Sequence, residues 1–399
     1  DGTNGMVYHG QAEDNEAGRS VSAAGDINGD GFDDLIIGAP YADSGAAFAG
    51  SSYVVFGSDQ GFPGSLELSL TDGNNGIVIE GLAQFDFSGF SVSGAGDING
   101  DGIDDVIIGA PVASPDANEA GISYVVYGSD EGLPSPLSLA TINGSNGVVI
   151  NGVGVYSSSG SAVSAAGDID GDGFDDLVIG APYGNAGAAY VVFGGDPGPS
   201  SPLNLSGLNG SNGFRIDGAA AGDSFGASVS AAGDINGDGI DDLVIGAPLA
   251  GPSGANAGAA YVIYGNKSGF PNPLGVSSLN GTNGFAINGV VVSDMAGISV
   301  SAAGDVNADG FADLIVGAFE ANPNGVNSGA SYVIFGSDED LPHPLNLSGL
   351  DGSNGFVING EDVNDESGRS VARAGDINED GIDDLIIGAP NAFTVGLNT

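Results

Sequence analysis

Asp26-Ile27-Asn28-Gly29-Asp30-Gly31-Phe32-Asp33-Asp34-Leu35-Ile36-Ile37-Gly38-Ala39-Pro40 decides the fold, because the chain writes this stretch six times. Its first aspartate recurs at Asp97, Asp168, Asp234, Asp305 and Asp376, in steps of 71, 71, 66, 71 and 71 residues. Outward from it, each repeat reads as four short strands. Ser20-Val21-Ser22-Ala23-Ala24 is small and alternating, and Leu35-Ile36-Ile37 is a continuous apolar run closed by Gly-Ala-Pro. Tyr53-Val54-Val55-Phe56 is the third strand, recurring at Tyr124, Tyr190, Tyr261 and Tyr332. The fourth follows an Asn-Gly turn, as in Asn75-Gly76-Ile77-Val78-Ile79.

The spacing shows which connection is free to vary. From the third-strand Tyr to the fourth-strand Gly is 23 residues in five copies, and from that Gly to the first Asp of the next loop is 21 in six. Pro40 to Tyr53 is 13 residues but Pro182 to Tyr190 only 8, which accounts for the single short step. Variation therefore sits between strands two and three.

Four strands per unit at this period predict an all-β fold: a β-propeller of four-stranded antiparallel blades, in which radial closure protects the sheet edges. Six repeats are present, and a longer chain would have room for seven blades. A solenoid of stacked sheets is the runner-up. The small side chains of the first strand favour the propeller, whose innermost strands converge on the axis. The chain, 1–399, reads as one domain with repeats over 11–81, 82–152, 153–218, 219–289 and 290–360. Residues 1–10 and 361–399 are expected to share a closing blade, Gly5-Met6-Val7-Tyr8 supplying its fourth strand and Phe393-Thr394-Val395 a weak third. An open terminal blade would also allow self-assembly.

Within the loop, carboxylate and amide side chains fall at positions 1, 3, 5 and 9, with Gly at position 6 in every copy. Alternate oxygens then converge on one point, Gly supplies the bend, and the position-7 carbonyl turns inward: the donor set of a hard cation. The predicted ligands are Asp26, Asn28, Asp30, Phe32 and Asp34; Asp97, Asn99, Asp101, Ile103 and Asp105; and Asp168, Asp170, Asp172, Phe174 and Asp176. They continue with Asp234, Asn236, Asp238, Ile240 and Asp242; Asp305, Asn307, Asp309, Phe311 and Asp313; and Asp376, Asn378, Asp380, Ile382 and Asp384. Oxygen-only donors indicate Ca²⁺, about six ions in all, over Zn²⁺ or Cu²⁺, which would want His or Cys. Position 12 is never Glu and strands flank the loop, so it is a β-hairpin calcium loop and not an EF-hand. The fifth copy is an internal control: Ala308 and Ala312 replace the usual Gly and Asp at positions 4 and 8, so those positions are not ligands. Asp, Asn and Gly also simply form turns, but six copies with one ligand spacing weigh against that. Without metal, carboxylates about 5 Å apart would repel by roughly 3 kcal/mol per pair at an effective dielectric near 20.

Composition sets the remaining bounds. There are 52 acidic residues against 5 basic, a net charge of −47, which excludes nucleic acid and anionic membranes as natural partners. Six divalent ions would bring the formal charge to about −35. There is no Cys to form disulfides, which leaves metal as the staple. No apolar run is long enough to span a membrane. The start at Asp1, without Met or a signal-like stretch, suggests processing or excision.

With Gly-Ala-Pro in five copies, Gly317-Ala318-Phe319 in the other, and a Phe-Gly element at Phe225-Gly226, the repeats resemble the FG-GAP repeats of integrin α-subunit propellers, in the manner of bacterial relatives. The resemblance covers essentially the whole chain. It implies calcium between strands one and two and an extracellular recognition role. Integrin propellers have seven blades with calcium loops in only some, whereas here every copy carries the loop. Ligand specificity therefore does not carry over.

Catalysis finds little support. His9, His343 and Lys267 sit in no nucleophile or acid–base motif, and the aspartates repeat in every blade where a catalytic pair would break the symmetry. The expectation is a non-enzymatic, extracellular adhesion or recognition module for a protein or glycan. A structural subunit of an extracellular layer or fibre, or an accessory domain of a secreted carbohydrate-active enzyme, stands as the alternative. Strand order places the loops 41–52, 112–123, 183–189, 249–260 and 319–331 opposite the metal loops. Phe85, Phe87 and Tyr156 lie on that side as candidate contacts, or as packing between blades.

Overall fold

The computed structural model describes residues 5–59, 64–114, 119–339 and 341–393. Its contacts separate the chain into two compact units: Asp1–Ala165 with Asp172–Gly184 and Tyr190–Phe214, and Ala166–Gly171 with Asn185–Ala189 and Arg215–Thr399. The first unit opens with β1 (Val7–His9). The first repeat continues with β2 (Ser20–Gly25), β3 (Asp34–Ala39), β4 (Ser51–Val55), β5 (Ser65–Glu67), which pairs with β1, and β6 (Gly76–Glu80). The second repeat runs through β7 (Ser91–Gly96), β8 (Asp105–Ala110), β9 (Ile122–Val126), β10 (Leu137–Ser138) and β11 (Gly147–Asn151). Four strands of each blade pair antiparallel in sequence order, β2-β3-β4-β6 and β7-β8-β9-β11.

The second unit repeats the pattern. Ser228–Gly233, Asp242–Ala247, Ala259–Ile263 and Gly284–Asn288 form one sheet, and Ser299–Gly304, Asp313–Ala318, Ala330–Ile334 and Gly355–Asn359 another. The hairpin Ser370–Gly375 with Asp384–Gly388 follows. The chain is thus all-β, built of repeated antiparallel blades of the β-propeller type.

The middle strands are β-branched and aromatic because both their faces are covered. β4 and β9 are buried at every position, as are Asp242–Ala247 and Asp313–Ala318. The first strands stay small because successive ones lie against each other. A Cβ on Gly94 of β7 would come within 2.8 Å of the Ala23 carbonyl oxygen in β2. Ser20 Oγ accepts from Val92 N at 3.0 Å, and Ser299 Oγ from Val371 N at 3.0 Å, so the serines of the first strand tie it to its neighbour. The glycine of Gly-Ala-Pro has a similar cause: a Cβ on Gly38 would overlap the Gly89 carbonyl oxygen, and one on Gly246 that of Gly297.

The linkers before the fourth strands hold more structure than the sequence reading gives them. β10 pairs in parallel with β6, and Leu203–Asn204 with β11, making five-stranded sheets. The cause is local: Leu137 and Leu139 bury side chains while the residue before a cis proline turns a polar atom toward the preceding blade. Ser135 Oγ accepts from Val78 N (3.2 Å), Ser201 Oγ from Val149 N (3.1 Å), Asn272 Oδ1 from Arg215 N (3.0 Å) and His343 Nδ1 from Ala286 N (3.3 Å). His343 is therefore a fastener between strands. β1 pairs in parallel with β5 as β6 does with β10. Phe393, read as the start of a third strand, lies in no strand, and Thr394 and Val395 fall outside the described residues.

Candidate metal centre and recognition loops

Each acidic loop joins the first and second strands of its blade, and its residues are graded by depth. In the first five loops the position-1 and position-3 side chains are half-buried, the position-5 aspartate is exposed and the position-9 aspartate is buried. Asp105, Asp176, Asp242 and Asp313 have no exposed surface at all, and Asp34 only 4%. The sixth loop, Asp376 to Asp384, is more open throughout. Position 7 (Phe32, Ile103, Phe174, Ile240, Phe311, Ile382) donates its backbone N–H to the position-5 carboxylate, at 3.0 Å in each loop.

The loop is folded around its own side chains. Asp26 Oδ1 and Oδ2 accept from Asp30 N and Gly31 N (3.0 and 2.8 Å), and Asn28 Oδ1 also accepts from Asp30 N (2.9 Å). The same bonds recur around Asp97, Asp234, Asp305 and Asp376. The position-9 carboxylate reaches inward instead. Asp105 Oδ2 accepts from Ile98 N (3.2 Å) and Oδ1 from Gly128 N (2.9 Å), the latter just past the third strand. Asp34, Asp242 and Asp313 bridge the same two places.

Those bonds do not fully compensate the burial. Desolvation, helped by the neighbouring position-5 and position-1 carboxylates, pushes Asp105 and Asp242 up to about 8, Asp34 to about 7 and Asp313 to about 6. A buried anion with two anionic neighbours is the environment a hard cation neutralises. In the third loop, where Asp170 stands in place of the usual Asn, ligand oxygens of Asp168, Asp170 and Asp176 all lie within 4.8 Å of one another. The donor set and its depth therefore fit Ca²⁺.

Position 8 has a role that sequence reasoning excluded from the metal and left unassigned. Asp104 Oδ2 accepts from the backbone N–H of Asp26 in the preceding loop (2.9 Å). Asp175 does the same for Asp97, Asp241 for Asp168 and Asp383 for Asp305 (3.0, 3.1 and 3.0 Å). The residue before that N–H is Gly25, at φ +68, where a Cβ would strike the Asp104 carboxylate. Alanine at position 312 removes one clamp, and its own N–H donates to the Asp234 carbonyl instead (3.2 Å). A 71-residue period made this pairing legible only as a repeat, because the partner lies 78 residues away.

FG-GAP repeats match at residues 17–55, 88–126, 159–192, 225–263, 296–334 and 367–398, over half the chain. The chain belongs to the FG-GAP repeat family. It is 28% identical over 383 residues to human phosphatidylinositol-glycan-specific phospholipase D, covering 92% of this chain and 42% of that protein. It is 36% identical over 169 residues to the rat form (42% of this chain, 19% of the relative) and 30% over 242 residues to integrin alpha-5 of Xenopus laevis (59% and 20%). The chain thus spans less than half the length of these relatives. No helix among the described residues is long and apolar enough to cross a membrane.

At the ends of the FG-GAP blades opposite the metal loops, the backbone enters the left-handed region at recurring places: two residues before the Gly that opens each first strand and, from the second repeat on, four before it, and two before the Gly that opens each third. Asn185, Asn256, Asn327, Gly222 and Asn364 occupy several of these, as expected for αL. In the first unit Phe48 (φ 54), Phe85 (φ 66) and Phe87 (φ 55) take three of them. Their rings meet: Phe48 stacks on Phe85 at 5.7 Å and on Phe87 at 6.3 Å, while Tyr41 sets its edge to Phe87 at 5.2 Å. Phe85 remains 47% exposed, and Tyr156 62%. Phe87 is half-buried within the cluster.

Proposed function

We propose that this FG-GAP chain is a calcium-stiffened, non-catalytic recognition module that works outside the cell and holds a protein or glycan partner on its variable loops. The observation that carries the reading is the Tyr41, Phe48, Phe85 and Phe87 cluster. Bulky residues at left-handed positions strain the backbone by about 1 kcal/mol or more each, and at the place of Phe48 three sibling repeats carry Asn185, Asn256 and Asn327 instead, which bear it at lower cost. Strain kept in order to expose aromatic faces points to a contact surface. The ring faces offer stacking without charge, which suits a partner that a strongly acidic chain does not repel.

Calcium acts at a distance in this reading. Position-1, -3, -5 and -9 side chains and the position-7 carbonyl would hold one ion per loop, and the ion would neutralise the buried position-9 anion. Blades fixed in this way present their loops without an ordering cost on binding. The aspartates and amides repeat from loop to loop, whereas the opposite loops differ in length and sequence, as recognition demands.

The test exchanges the aromatics for what sibling repeats carry: Phe48→Asn, Phe85→Asn and Phe87→Ser. Binding to arrays of glycans and of extracellular proteins should fall at least tenfold while thermal stability holds or rises, because left-handed strain is relieved. Full binding by the triple variant would refute the assignment of the surface.

A further inference from the structure

We infer that Lys267 is the built-in counter-charge of the third acidic loop and sets that site apart from its siblings; this rests on the calcium reading above. Two departures from the repeat coincide. Position 3 is Asn in five loops and Asp170 in the third. Two residues after the Gly that closes each third strand the chain carries Asp59, Asp130, Asp196, Lys267 and Asp338, and Lys267 is its only lysine.

The structure brings the two departures together. This residue lies not on its own loop but on that of the preceding repeat, tied there by a backbone bond. Ser129 N donates to Ile27 O (2.9 Å), Gly195 N to Ile98 O (3.1 Å), Asn266 N to Ile169 O (2.9 Å) and Ser337 N to Ile235 O (2.9 Å). In the first three loops this residue lies beside position 4 of the receiving loop. A Cβ on Gly29 would sit 3.1 Å from Asp130 Cβ, and one on Gly100 3.2 Å from Asp196 Cβ. One on Gly171 would overlap Cε and Cγ of Lys267. The lysine stem therefore lies flat across Gly171, next in sequence to Asp170.

The first and second loops, which hold an amide at position 3, thus receive an aspartate from the next blade, and the third loop, which holds a fourth ligand carboxylate, receives a lysine. The exchange has two consequences. Without metal, the ammonium offsets carboxylate repulsion that the other loops bear unrelieved, so the third loop keeps its shape. With metal, a tethered positive charge beside the ion weakens binding there, so the third site fills last. Lys suits this role because its compact charge moves aside on a flexible stem.

Two independent measurements decide it, on the whole chain carrying Lys267→Met or Lys267→Asp. In chelator, hydrogen exchange of residues 168–176 should accelerate in Lys267→Met and stay unchanged in the other loops. In a calcium titration competed with a chromophoric chelator, Lys267→Asp should tighten the weakest site by about tenfold. Unchanged exchange in the first arm together with unchanged affinities in the second would overturn the proposal. A wild-type chain that takes up no calcium would sink the metal reading instead, and the chelator arm would still decide the part played by Lys267.

Discussion

Replacing Asp104 with Ala separates the two jobs that neighbouring aspartates are assigned in one loop. The lost interaction is a carboxylate oxygen 2.9 Å from the Asp26 N–H, across a half-buried junction between blades. A hydrogen bond to a charged group contributes about 1.5–3 kcal/mol, and partial exposure places this one near the lower end, about 1.5 kcal/mol. Spread over a cooperative unit of roughly two hundred residues, that is a fall in Tm of about 3–6 °C. Calcium stoichiometry should not change, because position 8 holds no ligand. Calorimetric melting in excess calcium, with bound calcium counted in parallel, checks both. The reverse change, Ala312→Asp, should raise Tm by a smaller amount, since the Ala312 N–H already bonds to Asp234. Loss of a calcium equivalent in Asp104→Ala would refute the division of labour.

Chelation should lower Tm of the whole chain, since each ion at about 100 times its Kd adds about 2.7 kcal/mol by mass action; an unchanged melting curve would contradict the calcium reading. Asp105→Asn should cost about 3 kcal/mol in calcium but only about 1 kcal/mol in chelator, where an unmatched amide is the main loss; denaturant titration in both buffers measures the difference. Without metal, stability should fall as pH rises from the ordinary Asp value of 3.8 through about 8: Asp105, Asp242, Asp34 and Asp313 have folded pKa values raised by burial, so between the unfolded and folded values the native state binds more protons, and the decline ends once pH passes the folded values. Saturating calcium should abolish that decline, which melting curves at stepped pH would show. Asp30→Ala should speed hydrogen exchange around residues 26–40 and leave the other loops protected; uniform acceleration would mean the blades open together.

Periodicity alone determined the blade. Alternation in Ser20–Gly25, the apolar run in Asp34–Ala39 and the Asn-Gly turn before Gly76 specify strands whose partners are close in sequence, so local pattern and final pairing agree. The acidic loop was legible for the same reason, as nine consecutive residues hold every predicted ligand. Contacts between repeats were decided only by tertiary structure. Asp104 on the Asp26 N–H, Ser135 and its counterparts Ser201, Asn272 and His343 on the preceding fourth strand, β10 on β6 and Lys267 across Gly171 all join residues more than fifty positions apart. No local pattern marks such partners, because position 8 looks like another loop acid and Leu137-Ser138 like a linker. The aromatic cluster belongs to the same class. In sequence Phe85 reads as a candidate contact or as packing between blades and Phe48 as an ordinary apolar residue, and only the backbone, which turns left-handed at both and brings the ring centroids to 5.7 Å, joins them in one surface.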